Sequence, residues 1–156
     1  MSGPCEIHIP TEPVEQVAFF PYAQELWKTW ADEEGKTPDL DVYSREGVQG
    51  IYNGDTFIAY AVDPTCKPPQ VVGMAQVRAV YDPADSTRKA FGDRLYVRPE
   101  WRNEGVFTQM QQAITDFCTN TLQIDKHIVY AQLDGVLIQH YESVGFKQDT
   151  VVMRRG

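Results

Sequence analysis

The stretch LYVRPEWRNEGVF, residues 95–107, is the part of the sequence that decides the fold. Leu95 and Val97 alternate with their neighbours as strand residues do, and Pro99 ends that pattern. Gly105 stands just before an apolar repeat of helical period, where a glycine lets a ligand approach the backbone closely. The unpaired amides at a helix start, with the positive end of the helix dipole, suit a diphosphate. This strand-to-helix joint therefore predicts either an anion-binding turn or a simple packing turn.

Upstream of the joint, the sequence predicts a short strand followed by two helices. Residues Glu6 to Ile9 alternate polar and apolar side chains, as a strand does. Thr11 can cap a helix, and Pro21 is expected to break that helix into two pieces. The second piece carries Trp27 and Trp30, so we expect paired helices with a large aromatic face.

Three strands are predicted next, after a loop. The segment Lys36 to Asp55 is rich in Gly, Pro, Asp and Asn, which indicates a loop. The β-branched and aromatic runs Thr56 to Asp63 and Val71 to Tyr81 predict an antiparallel hairpin. Asp93 to Val97 adds the third strand.

The C-terminal third of the sequence predicts helices alternating with strands. Apolar side chains from Val106 to Leu122 recur at three and four residues, the period of an amphipathic helix. His127 to Leu133 predicts a strand, Val136 to Val144 a short helix closed by a glycine, and Thr150 to Arg154 a last strand. This order of elements indicates an α/β fold, a sheet with helices on both faces.

Length, charge and cysteines limit the classes of function. The 156 residues, 42% of them hydrophobic, predict one domain over residues 1–156. The net charge of -8 makes nucleic acid an unfavourable partner and favours a cationic or lysine-bearing acceptor. The first ten residues lack a signal peptide and no apolar run could span a membrane, so an intracellular protein is expected. Cys5, Cys66 and Cys118 are too widely spaced for a disulfide framework or a zinc site and are predicted to be free thiols.

Two segments resemble the GCN5-related N-acetyltransferase family. LYVRPEWRNEG is similar to the family segment hydrophobic-x-V-x-P-x-(Y/W)-R, which leads into the pyrophosphate loop R/Q-x-x-G-x-G/A. About thirty residues later, DGVLIQHYESVGF, residues 134–146, resembles the family segment N-x-x-A-x-x-x-Y-E-x-x-G-F. The resemblance implies a mixed, mostly antiparallel central sheet flanked by helices on both faces, and acetyl-CoA as the cosubstrate.

The resemblance also implies roles for individual residues. The backbone of Val97 would pair with the pantetheine arm. The backbone amides of the following loop would hold the pyrophosphate: Arg102, Asn103, Glu104, Gly105, Val106 and Phe107. Tyr141 takes the position of the general acid that protonates the departing CoA thiolate, or else packs under the sheet. Asp93 is the only acidic residue in its strand, which makes it the candidate base for the amine.

Three sites depart from the family pattern. Phe107 stands where a second Gly or Ala is usual, and its benzyl group would block the loop unless it turns into the core. Asn103 and Glu104 replace Gly followed by a basic residue, so Glu104 brings negative charge towards the diphosphate. Asp134 replaces a frequent Asn beside the cofactor arm. These changes leave open a fold that has kept its shape with a lost or altered cofactor.

Two functions follow from this sequence. One is transfer of an acetyl group from acetyl-CoA to a primary amine of a small molecule or peptide, by direct attack in a ternary complex. The other is an inactive binding or assembly protein of the same fold, such as a phage structural component, which would place it in a virion rather than the cytoplasm. The sequence has no G-x-S-x-G elbow and no H-E-x-x-H pair, so neither a serine nucleophile nor a metal is expected. The oligomeric state stays open, with a homodimer or larger assembly among the alternatives.

Overall fold

The computed structural model describes residues 5–129, 136–148 and 155, without the side chains of Asp93 and Val136. Ten elements follow one another along these residues: β1 (Glu6–His8), α1 (Pro13–Glu34), α2 (Leu40–Asn53), β2 (Thr56–Asp63), β3 (Gln70–Asp82), β4 (Thr87–Val97), a 3-10 turn (Pro99–Trp101), α3 (Val106–Asn120), β5 (His127–Val129) and α4 (Val136–Ser143). Within the described ranges, no helix is long and apolar enough to cross a bilayer. The predicted strand at Thr150 to Arg154 and the second half of the one at His127 to Leu133 lie outside the described residues.

The five strands form one sheet in the order β1-β2-β3-β4-β5. Neighbouring strands run antiparallel from β1 to β4, whereas β5 runs parallel to β4. That parallel pairing joins Ala90–Gly92 to His127–Val129. The predicted mixed, mostly antiparallel sheet is therefore confirmed.

Helices cover both faces of the sheet, as predicted. Side chains of α1 and α2 pack on one face, in a cluster that includes Phe20, Leu26, Tyr43, Ile51, Ile58, Tyr60, Met74 and Tyr96. Side chains of α3 pack on the other face, with Val106, Met110, Ile114 and Cys118 against alanines and valines of β2, β3 and β4. Both helix patterns follow from apolar residues spaced three and four apart, which fall on one side of a helix.

Helix α1 differs from the sequence prediction because it continues through Pro21. A proline inside a helix removes one hydrogen bond and costs about 3 kcal/mol. Buried side chains on both sides of it, among them Phe20 and Leu26, hold the two halves in line against the sheet. The predicted cap at Thr11 is also wrong, because the helix begins after Glu12 and no side chain caps it.

The predicted loop from Lys36 to Asp55 is wrong as well, because most of it forms α2. Asp39 caps this helix, since its carboxylate accepts from the amides of Asp41 and Val42 at 3.0 and 3.1 Å. The glycines that indicated a loop have a packing role instead. A Cβ placed on Gly47 would lie 2.6 Å from the ring of Phe20, so glycine allows α1 and α2 to approach closely.

Strand β4 begins six residues earlier than predicted, at Thr87, and contains a bulge. The register with β3 shifts between Gln76, which pairs with Arg94, and Val77, which pairs with Gly92. Asp93 is thus the extra residue of the bulge, which bends the strand locally. All three cysteines are free, as predicted, and Cys118 is buried in the α3 face.

Candidate active site

The start of α3 has the geometry of an anion-binding turn. Gly105 precedes the helix with φ 81°, a left-handed conformation that favours glycine, and Asn103 has φ 64°. A Cβ at Gly105 would meet nothing within 4 Å, so the turn is open on that side. The amide of Gln109 bonds to the carbonyl of Gly105 at 3.0 Å, and the amides before it point out of the helix start. Val106 itself is buried, and its side chain anchors this turn to the sheet.

The backbone of Val97 faces the side of β4 that lies away from β3. Val97 pairs in register with Gly73, while the next amide, that of Arg98, donates to the carbonyl of Val72 at 2.8 Å. In an antiparallel ladder this pattern turns the N–H and C=O of Val97 away from β3, and those of Leu95 with them. Within the described residues, β5 pairs with β4 only at Ala90–Gly92. Among the described residues, residues 95–97 thus offer a backbone edge that leads towards the start of α3, with the carbonyl of Val97 taken by the side chain of Arg102.

The side chain of Arg102 turns away from the start of α3. Its Nε donates to the carbonyl of Val97 at 2.9 Å, and its Nη2 lies 2.9 Å from a carboxylate oxygen of Glu33. Its guanidinium also lies 5.5 Å from the ring centre of Tyr96. The amide of Arg102 still belongs to the loop, but its side chain joins that loop to the end of α1.

Glu33 and Tyr96 complete this contact between α1 and β4. The hydroxyl of Tyr96 donates to Glu33, and this bond together with Arg102 lowers the pKa of the Glu33 carboxyl. Burial, with Glu33 as a second cause, raises the pKa of Tyr96 to about 12. Glu33 is therefore an ionised carboxylate that binds both Tyr96 and Arg102 on the α1 side of the sheet.

Tyr141 on α4 lies against the start of α3. Its side chain is 7% exposed, and its ring centre lies 5.3 Å from that of Phe107 and 5.4 Å from that of Phe146. Burial raises its pKa to about 12, so its hydroxyl carries a proton at neutral pH. The structure thus brings Tyr141 and the predicted cofactor loop together.

The departures from the family pattern are accommodated to different degrees. The ring of Phe107 is half-buried against Tyr141 and His140, the latter 5.1 Å away between ring centres. It therefore turns towards α4. Glu104 is exposed. Asp93 occupies the bulge with its side chain undescribed, and Asp134 lies outside the described residues.

Sequence reasoning missed a cluster of aromatic side chains around Arg94, on the face of the sheet that carries α1 and α2. The guanidinium carbon of Arg94 lies 4.8 Å from the ring centre of Trp27 and 4.9 Å from that of Tyr43. Trp27 stacks on Trp30 at 4.1 Å with an interplanar angle of 11°. The two tryptophans were visible as an aromatic face, but nothing local showed that Arg94 would reach them. Alternation with Tyr96 along β4 was the available signal, since both side chains fall on one face.

No metal centre is formed by the part of the chain that the structure describes. Within it, no three side chains of His, Cys, Asp or Glu lie close enough together to hold an ion. His127 is the first residue of β5, with its Nδ1 3.4 Å from the hydroxyl of Thr115 on α3 and its ring against Phe146. Burial lowers its pKa to about 4. A neutral, buried imidazole of this kind fits a structural role.

The strand edge of β4, the glycine before α3 and the nearby Tyr141 are the features on which the resemblance to acyl-CoA-using transferases was based. The model of the acetyltransferase (GNAT) family matches residues 19–146, so this chain belongs to that family. The predicted family is thus confirmed. No curated protein matches the chain.

Solved acetyltransferase structures share the fold at low sequence identity. An aminoglycoside acetyltransferase from an uncultured soil metagenomic sample, in complex with trehalose, has TM-score 0.76 and 15% identity, covering 97% of this chain and 95% of its own. AAC(6')-Iy in complex with the bisubstrate analogue CoA-S-monomethyl-acetylneamine has TM-score 0.76 and 18% identity, covering 99% of each chain. A predicted acetyltransferase from Clostridium acetobutylicum with acetyl-CoA has TM-score 0.77 and 16% identity, covering 97% and 96%. At these identities the likeness shows the fold.

Proposed function

We propose that residues 1–156 form one acetyltransferase domain that transfers an acetyl group from acetyl-CoA to a primary amine of a small molecule or peptide. The observation that carries this proposal is the continuous backbone surface from the open edge at Val97 to the start of α3 at Gly105. Two of the similar structures contain acetyl-CoA or a bisubstrate analogue built on CoA. Family membership and this surface together support acetyl-CoA as the cosubstrate, and a cytoplasmic enzyme is the form that we expect.

The diphosphate fits the turn at the start of α3. Backbone amides from Arg102 to Phe107 would donate to it, and the left-handed Gly105 leaves the approach clear. The ring of Phe107 packs on α4, which relieves the steric objection to a bulky residue there. Glu104 is exposed and can direct its charge to water. These contacts favour a retained cosubstrate over an inactive fold.

Residues of the chain would then assist both the attack of the amine and the departure of the CoA thiolate. Acetyl-CoA supplies the thioester. The outward backbone groups of Leu95 and the N–H of Val97 would orient the arm along β4, which would hold the thioester carbonyl in position for attack by the amine. As the nitrogen–carbon bond forms and the carbon–sulfur bond breaks, the hydroxyl of Tyr141 would give its proton to the leaving thiolate. The proton of the amine would pass to the Asp93 carboxylate or to water.

Gly105→Ala tests the cosubstrate site with a matched control. Alanine at φ 81° is strained by roughly 1 kcal/mol, and its methyl group would enter the open turn. Gly54→Ala imposes the same strain at φ 79°, also with open space around it, at the end of α2. We expect both variants to melt earlier, and only Gly105→Ala to bind acetyl-CoA more weakly.

The measurement is a thermal-shift titration with acetyl-CoA, followed by free-thiol release with amines. A ligand at one hundred times its Kd stabilises the native state by about 2.7 kcal/mol, which raises Tm visibly. No shift of the native chain at millimolar acetyl-CoA would contradict the proposal and favour the assembly protein. Equal weakening of binding in both glycine variants would remove the turn at Gly105 from the site.

A further inference from the structure

The loop between β4 and α3 directs both of its basic side chains towards α1. Arg98 lies 3.0 Å from a carboxylate oxygen of Glu25, and Arg102 lies 2.9 Å from one of Glu33. Helix α1 packs on the opposite face of the sheet from α3. Glu104, which stands just before the turn, is exposed. The start of α3 thus offers backbone donors to a diphosphate without a cation from its own loop, and a basic group on a neighbouring element would strengthen the site.

Helix α4 brings an imidazole to the start of α3. The ring centre of His140 lies 5.1 Å from that of Phe107, the second residue of α3, with the ring planes tilted by 43°. The ring of Phe107 also contacts Tyr141, at 5.3 Å and 68°. His140 is exposed whereas Tyr141 is buried. Of these two neighbours on α4, His140 is therefore the one that a ligand in solution reaches.

The imidazole of His140 keeps its hydrogen-bonding capacity. Within the ranges that the structure describes, no group of the chain bonds to its two nitrogens, and its contact with a phenyl ring uses neither of them. Its backbone carbonyl accepts from the hydroxyl of Ser143 at 2.6 Å. Leu137 stands three residues earlier on the same side of α4 and is 37% exposed. This side of α4 is thus accessible to a ligand and carries an unused imidazole.

Resting on acetyl-CoA as the cosubstrate, we propose that His140 binds a phosphate group of acetyl-CoA. The imidazole donates to a phosphate oxygen and supplies the positive charge that the loop before α3 does not direct there. Negative charge beside an imidazole favours its protonated form, which strengthens the contact. Phe107 then positions the imidazole with its ring, so a bulky residue at this place serves the site. The phosphate is either part of the diphosphate or the 3′-phosphate of CoA, since both offer the same oxygens.

Substitutions of His140 in the full chain test this role by calorimetric titration with acetyl-CoA. At about pH 6, where imidazoles next to anions carry a proton, His140→Gln should raise Kd roughly tenfold, the effect of one charged hydrogen bond. His140→Arg keeps a cationic donor and should stay within about twofold of the native Kd. His8→Gln is the control, because it removes an imidazole that bonds to Glu15 at 2.8 Å on β1, and it should leave Kd unchanged.

Salt separates a charged contact from a packing effect. Raising the ionic strength from about 0.05 M to about 0.5 M should narrow the difference in Kd between the native chain and His140→Gln, because salt screens exposed charges. An unchanged Kd in His140→Gln would overturn the inference. So would equal weakening in His140→Gln and His140→Arg, or a difference in Kd that salt does not alter. Because His140 is exposed, melts without ligand should show native Tm in these variants.

A second ligand identifies the phosphate, and acetyl transfer separates this inference from the proposed function. If the difference between the native chain and His140→Gln disappears with acetyl-3′-dephospho-CoA, His140 binds the 3′-phosphate. If it persists, His140 binds the diphosphate. Tighter binding to the native chain without acetyl transfer to any amine would contradict the proposed function and leave the role of His140 standing. Equal binding by both proteins would refute that role alone, and no binding to the native chain would refute both.

Discussion

Tyr141 combines two properties that an acid at this site needs. Its burial raises the pKa of the hydroxyl to about 12, and its position on α4 brings its ring against Phe107, the second residue of α3. The sequence left Tyr141 divided between an acid and a packing residue. The structure shows that packing and proximity to the loop occur together, since the ring of Tyr141 packs on that of Phe107.

Tyr141→Phe separates the two roles. The ring contacts survive in phenylalanine, so Tm should fall by little, and the affinity for acetyl-CoA should be unchanged. Loss of the proton donor should lower kcat about a hundredfold or more. Steady-state kinetics with a saturating amine, beside thermal melts, provides the measurement. Unchanged kcat would leave Tyr141 as a packing residue only.

At the scale of single residues, the sequence indicated which segments lie close together. It did not indicate the direction of individual side chains. Tyr141 and Phe107 are in contact, as two matched family segments imply. The direction of Arg102 could not be predicted, because its partner Glu33 lies 69 residues away. The same holds for Arg94, whose ring partners belong to α1 and α2. Contacts of this kind depend on the tertiary packing of distant elements.

Helix α1 is the element that links the bulge of β4 to the loop before α3. Trp27 lies on Arg94 near the bulge, and Glu33, nearly two turns later, holds Arg102. Glu25 forms a similar ion pair with Arg98, at 3.0 Å. A single helix thus contacts three arginines on and after β4.

Glu33→Gln should tighten acetyl-CoA binding by several fold. The change removes the carboxylate that holds Arg102 away from the start of α3, so its guanidinium can turn towards the proposed diphosphate site. Glu25→Gln is the matched control, because it removes the same charge from the same helix and frees Arg98 instead, so it should leave affinity unchanged. Calorimetric titration at two salt concentrations measures both. Weaker binding in Glu33→Gln would show that the ion pair positions the loop for the ligand.

Strands were easier to predict than the first two helices for a physical reason. Strands β2 and β3 show their burial in short runs of β-branched and aromatic residues, which a local window detects. The glycines of α2 and Pro21 of α1 have low intrinsic helix propensity, although they lie inside helices. Their placement depends on partners such as Phe20 against Gly47, which only the assembled layer supplies.

On the scale of the whole molecule, His127 couples pH to the free energy of unfolding. It belongs to β5 and contacts Thr115 of α3 and Phe146 after α4, so it joins three parts of the fold. Its pKa is about 4 in the folded chain and about 6.5 when unfolded, so between these values the unfolded state binds more protons. Stability is therefore complete above about pH 6.5 and falls as pH drops towards 4.

His127→Gln should flatten this dependence. From pH 7 to pH 5 the native chain should lose about 2 kcal/mol through His127, a loss that glutamine cannot contribute. Urea unfolding of both proteins at half-unit pH steps gives the difference directly. Parallel stability curves for the two proteins would show that His127 is not responsible.

The bond from Arg102 to the carbonyl of Val97 also bears on the solubility of the chain. An open strand edge is a template on which another chain can add a strand, and such edges promote aggregation. In the described part of the sheet, β4 presents that edge beyond its pairing with β5. By covering one carbonyl of it with a charged side chain, Arg102 shortens the edge that a second molecule could use before any ligand arrives. The same arginine that joins the loop before α3 to α1 thus leaves a shorter strand edge exposed to a second chain.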